Sequence, residues 1–416
     1  MDKLYSRLVW VAAFALATPA FPAGKTVPAS PTFSKDVAPI LFNRCAECHR
    51  KGEAAPMQLM TYKEVRPWAK AIRERVIARA MPPWFADAAH GKFSNDRSLS
   101  QREIETVTAW VDAGAPEGDP KQLPAAPQYV EGWSIGKPDQ VFELAEEVAV
   151  PATGVIPYRY YTVDPGFTED KWVQSAEVRP GDRAVVHHVI VTILEPGSGA
   201  GSSGQTGRPS LVGFAPGDQP MQLSPGIAKL VKAGSKLVFQ MHYTPNGKAA
   251  TDRTRVGVIF AKEPVRQAHR GGMIPNFMFK IPPGEPSHEV KSSWTAKQDV
   301  LLTGLMPHMH VRGKDFLYTA LYPDGTSEVL LKVPRYDFNW QLNYQFAEPK
   351  LLPKGTRIDC VAHFDNSPNN KFNPDPTTQV KWGDQTWEEM MIGFFNFVLP
   401  DENLLLSQTL NPSARQ

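Results

Sequence analysis

"AVVHHVIVTIL", residues 184–194, is an apolar run rich in Val and Ile, interrupted by two adjacent histidines. Such a run, bounded by turn residues, reads as a β-strand. "KWVQSAEV" (171–178), "KLVFQMHYT" (236–244), "RVGVIF" (255–260), "DVLLTGLM" (299–306), "DFLYTALY" (315–322), "TRIDCVAHF" (356–364) and "MMIGFFNFVL" (390–399) repeat the pattern, with turn signals between them. The series is expected of β-sandwiches, and a stretch of about 260 residues has room for two. A total of 39 prolines and 30 glycines also favours short strands and turns over long helices.

The chain has 416 residues, with 45 Lys+Arg against 43 Asp+Glu. That balance gives no electrostatic case for nucleic acid or an anionic membrane as a partner. At the start, Lys3 and Arg7 precede the apolar stretch Leu8–Ala17, followed by the small residues Ala17, Ala20 and Ala23. The pattern is that of a secretory signal peptide over 1–23, either cleaved or kept as an N-terminal anchor. No later run approaches the roughly 20 apolar residues of a membrane helix, so no span is expected in the mature protein. The expected location is periplasmic or secreted. With only Cys45, Cys48 and Cys360, the chain is not a disulfide scaffold.

Two of those cysteines lie in "NRCAECHR" (43–50), a C-x-x-C-H motif. Cys45 and Cys48 can bond covalently to haem vinyl groups while His49 takes an axial iron position. A thioredoxin-like redox pair would sit in a βαβ pattern, whereas these flanks read as helical and irregular. Met81, in the proline-stiffened "RAMPPW", follows an amphipathic helix at 67–80 and is the candidate second axial ligand; Met57 and Met60 read as packing residues. "SQREIETVTAWVDAGAPEGD" (100–119) reads as a further helix with Ile104, Val107, Trp110 and Val111 on one face. On the C-x-x-C-H motif, the MPPW loop and the final helix, residues 31–120 resemble a small bacterial monohaem cytochrome c. Residues 121–140 have the composition of a linker.

Five of the ten histidines fall in three strand segments: His187 and His188, His242, and His308 and His310. Taken singly, a half-buried strand histidine is usually a hydrogen-bonded packing residue. His308 and His310 share one strand face, whereas adjacent His187 and His188 need a bulge or a strand end to act together. Imidazole with thioether is a copper ligand set, and Met306, on the same strand face as His308 and His310, is available as a thioether. Met309 points the other way and reads as core. His363 reads as packing, and Glu388 and Glu389 as exposed loop carboxylates without a catalytic role.

In order along the chain, the HH pair, "QMHY" (240–243), "HMHVRGK" (308–314) and "EEM" (388–390) are similar to the motifs of the copper type II, ascorbate-dependent monooxygenases, the peptidylglycine α-hydroxylating and dopamine β-monooxygenase family. The resemblance implies one copper on His187, His188 and His242 and a second, which meets O₂, on His308, His310 and Met390, in two sandwiches across an open cleft. It departs from the animal enzymes in lacking their disulfides. Met306 stands where peptide-amidating members carry an arginine, and Phe394 where they carry a tyrosine, so the substrate pocket is changed.

The expected fold is multidomain: a small all-α cytochrome c domain (31–120), a linker (121–140), and two all-β, jelly-roll-like sandwich subdomains (141–265 and 266–405). The expected function is that of an exported copper-dependent monooxygenase. It would hydroxylate a C–H bond of a small molecule with O₂, carry one covalent haem c and two copper ions, and be fed by an electron donor protein or a small reductant. The alternative is a non-catalytic periplasmic haem/copper electron-transfer or copper-binding protein.

Overall fold

The computed structural model describes residues 28, 30–53, 55–129, 132–198 and 208–405, and the signal peptide expected at 1–23 lies outside them. The expected fold class is corrected. Among the described residues the chain is mostly β, 36% strand against 12% helix, with no sizable all-α domain and with its larger sheets in a four-bladed, propeller-like arrangement.

The helices of the first hundred described residues are short. Ala38–Arg44, Tyr62–Val65, Ala69–Ile77 and Gln101–Asp112 are separated by turns, and the last, of 12 residues, is the longest. Its start is set by a capping box, in which Ser100 Oγ accepts from Glu103 N–H and Glu103 Oε2 accepts from Ser100 N–H. Ile104, Val107 and Trp110 are buried as expected, while Val111 is only partly so. Between the helices, residues 81–96 run as irregular chain over the second half. There Trp84 and Phe85 join the apolar core of the later strands, and Phe93 bridges to Phe346. The helices close a small core of their own around Phe33, Leu41, Ile104 and Trp110, but residues 81–96 are given over to the β core, so no sizable all-α domain results among the described residues.

The four larger sheets share two main cores. Strands Arg159–Val163, Lys236–Tyr243, Val186–Leu194 and Ser210–Phe214 form one sheet, and a six-stranded sheet including Lys171–Arg179 and Arg255–Phe260 packs on the same core, which holds Val189, Val191, Phe239 and Met241. In the second half, Arg270–Pro275, Ile392–Val398, Val300–His308 and Tyr344–Leu352 form one sheet, and His288–Thr295, Arg357–Phe364, Gly313–Leu321 and Ser327–Val333 form the other. Leu302, Leu305, Phe316, Tyr318 and Phe395 lie in the core of this half. Both cores rest on the alternation of a pleated strand, one face inward and one outward. Among the described residues, no helix is long and apolar enough to cross a membrane.

Candidate metal centre

His188 and His242 lie directly opposite one another on paired antiparallel strands, which puts both on one sheet face. The register slips between Val186 and His188, so His187 is the extra residue of a β-bulge. The bulge turns an imidazole that would otherwise face away towards its neighbours. His187 Nδ1 and His242 Nδ1 each lie 3.3 Å from His188 Nδ1. One nitrogen carries one proton or one lone pair, so it cannot make a full hydrogen bond with two such partners. Donors about 2.0 Å from one tetrahedral ion stand about 3.3 Å apart, a spacing that the two pairs with His188 match, and the three ligand atoms all lie within 4.8 Å of one another, near enough to serve a shared cation.

The second pair sits where a strand ends. His308 is the last residue of Val300–His308 and pairs with Ile392, and His310 follows in the turn. His308 Nδ1 lies 2.7 Å from Gln341 Oε1 and His310 Nδ1 lies 3.1 Å from the Glu388 carbonyl. Each ring N–H is thus given an acceptor, which leaves Nε2 as the lone-pair nitrogen. His310 Nε2 is buried without a hydrogen-bond partner, the signature of a nitrogen prepared for a cation. Met309 is wholly buried in the core, as expected, and so is Met391. Met390, one residue earlier, is buried in the irregular chain that leads into Ile392–Val398. Met306 is paired with Phe394, and the Phe394 ring lies 6.0 Å from that of His308. An apolar pair thus borders the second cluster.

Several residues that shape the centre carry no spacing signal in the sequence. Glu389 is fully buried, which corrects its reading as an exposed loop carboxylate. It accepts from His310 N–H at 2.8 Å and Arg312 N–H at 2.7 Å, pinning the turn that carries His310. Burial pushes its carboxyl up to about 8 against the pull of those donors. Tyr158 lies against His188 and His242, with ring centroids 5.3 and 4.8 Å away. Its backbone N–H donates to Gln385 Oε1, in the loop that leads to Met390. His363, as expected, is held by Asp315 at 2.7 Å.

The two clusters face each other. Phe338 stacks on His187 and also meets His242 and His310, so the open cleft implied by the resemblance is occupied by a ring. Burial holds the imidazoles neutral: His242 and His310 are pushed down to about 3 and His308 to about 4, and His188 falls well below the usual range. The unfolded chain takes up protons near 6.5 that these folded histidines refuse, so acid favours unfolding. Glu389 and Asp218, raised by burial to about 8 and about 7, work in the opposite direction but are outnumbered. Metal-free protein is therefore expected to melt at a lower temperature at pH 5 than at pH 7. An equal or higher Tm at pH 5 would contradict this burial.

At the C-x-x-C-H motif, His49 Nδ1 lies 3.0 Å from the Met57 carbonyl, which fixes Nε2 as the free nitrogen. Burial pushes the Cys45 thiol up to about 12 and raises Cys48, the reverse of an activated thiolate pair. These three residues fit a covalent haem. Met81 lines a cavity of about 320 Å³ with Val76, Trp84, Leu99 and Ile104, whereas Cys48 lines a different one beside Glu53, Glu177 and Arg183.

No family model and no curated protein matches the chain. Among solved structures, the infectious bursal disease virus VP2 subviral particle aligns over 63% of this chain and 73% of that chain, at 8% identity and a TM-score of 0.20. An oxalate decarboxylase of Bacillus subtilis aligns over 68% and 81%, at 8% identity and a TM-score of 0.14. Likenesses this slight carry no argument about fold or function.

Proposed function

We propose that the chain is an exported copper-dependent monooxygenase with a covalent haem as its electron inlet. The observation that carries the reading is the facing of two imidazole clusters, one of three histidines and one of two. His187, His188 and His242 would hold one copper, and His308, His310 and Met390 the other. Cys45, Cys48 and His49 would hold the haem, with Met81 as the proposed second axial ligand. Imidazole with thioether suits copper in both oxidation states. When bound, the copper and haem would supply single-electron transfer and O₂ activation: one oxygen atom enters a C–H bond as C–OH and the other leaves as water, with two electrons and two protons consumed.

The protein's own groups supply the rest. Gln341 and the Glu388 carbonyl fix the tautomers of His308 and His310, and burial keeps the lone pairs unprotonated near neutral pH. Met306 and Phe394 beside His308 offer no cation to a carboxylate, which favours an uncharged, apolar group at the reacting carbon.

Oxygen uptake by the reduced, copper-loaded protein across small amines, aromatics and peptides tests the reading. Substrate-dependent uptake with a hydroxylated product is expected. Haem reduction without such uptake would instead support the electron-transfer alternative, which the burial of His188, His242, His308 and His310 favours. Gln341→Leu should weaken copper binding at the second cluster by about tenfold, the usual cost of losing an outer-shell partner, measured by competition with a chelator. Unchanged affinity would remove Gln341 from the site.

A further inference from the structure

The loop 334–343 has a foothold on one side and a working face on the other. Arg335 donates to the carbonyls of Ala78 and Arg79 at 3.2 and 2.8 Å, and the Asn95 amide donates to the Asn343 carbonyl at 2.6 Å. Immediately after the loop, Tyr344 meets the Trp84 ring edge-on at 4.8 Å. All these partners come from 78–95, the segment that carries Met81.

The working face carries Phe338. Its ring lies nearly parallel to His187, with centroids 5.4 Å apart and planes at 16°. It reaches His242 at 6.0 Å and meets His310 edge-on at 5.8 Å. A phenyl ring has two torsions and no polar atom, so a clamped one is a rigid spacer that excludes water. We infer that Phe338 is a positioning residue shared by both histidine clusters, setting their separation and the rotation of His187. The inference rests on the reading of the five histidines as metal ligands. Phe338 itself ligates nothing. Its effect on a metal comes only through the imidazoles that it touches.

The test uses the full chain with Cu(II) as probe and isolates each cluster in turn. His242→Ala disables the first cluster, and His308→Ala with His310→Ala disables the second. In both backgrounds Phe338→Ala is expected to lower Cu(II) affinity about tenfold and to change the copper EPR hyperfine pattern, while Phe338→Tyr keeps the parent values. Phe338→Leu keeps most of the bulk without the flat face. It should melt within a few degrees of its parent yet reproduce the altered spectrum, which separates positioning from failure to fold. A change confined to one background would make Phe338 a packing residue of that cluster and overturn the inference, as would parent spectra for Phe338→Ala in both. An unsubstituted chain that binds no copper would be a different result, refuting the metal reading itself.

Discussion

Replacing His308 and His310 together with alanine is expected to abolish substrate-dependent oxygen uptake while the haem stays attached and reducible. Both imidazoles are almost fully buried, and their Nδ1 atoms are already committed to Gln341 and the Glu388 carbonyl. What the pair adds is therefore two Nε2 lone pairs, and alanine removes both. Loss of an outer-shell partner alone costs 10–100-fold, so removing two ligands should cost at least about a hundredfold in turnover. The first cluster shares no ligand with this pair and should retain its copper. Oxygen-electrode rates with product analysis check the loss, and the haem absorption spectrum checks the fold. Turnover within about tenfold of the parent would remove these residues from the chemistry.

Glu389→Ala should be among the most destabilising single changes in the second half. The side chain is wholly buried, and its two oxygens accept from the backbone of His310 and Arg312. Alanine leaves both N–H groups without an acceptor in a region closed to water, at about 1–3 kcal/mol each. It also removes the acidic side chain near the buried Arg312 guanidinium. A loss of about 4 kcal/mol follows, equivalent to a fall in Tm of roughly 10 °C for a unit of this size. Glu389→Gln keeps one acceptor oxygen but turns an NH₂ towards the other donor, so its loss should be smaller. Calorimetry separates the two variants. A Glu389→Ala chain that melts with the parent would show that the turn at 310–312 holds itself.

Much of the β architecture was legible because pleated strands announce themselves by alternation. "TRIDCVAHF" buries Ile358, Cys360, Ala362 and Phe364 and leaves the residues between them more accessible. The need for a bulge at His187 followed from the two-residue period, and the bulge is there. The helices at 69–77 and 101–112 were legible too, but they are short and do not build the sizable all-α unit that was expected. The proline-rich stretch after Met81 sends Trp84, Phe85 and Phe93 into contacts with the later strands, which no local period records. The same holds at the centre. Tyr158, Phe338, Gln341 and Glu389 lie in loops far from the strand histidines in sequence, and only tertiary packing makes them neighbours. Glu389 stands one residue from Met390 in an acidic, turn-rich stretch, where an exposed carboxylate is the ordinary expectation.

The most direct test of the account is a metal count on the copper-loaded full chain by mass spectrometry, with haem measured in the same sample. The account requires about two coppers and one covalently bound haem per chain, falling to about one copper when His308 and His310 are replaced, in keeping with two separate imidazole sites. A chain that binds no copper, or that keeps both ions after that replacement, would contradict it.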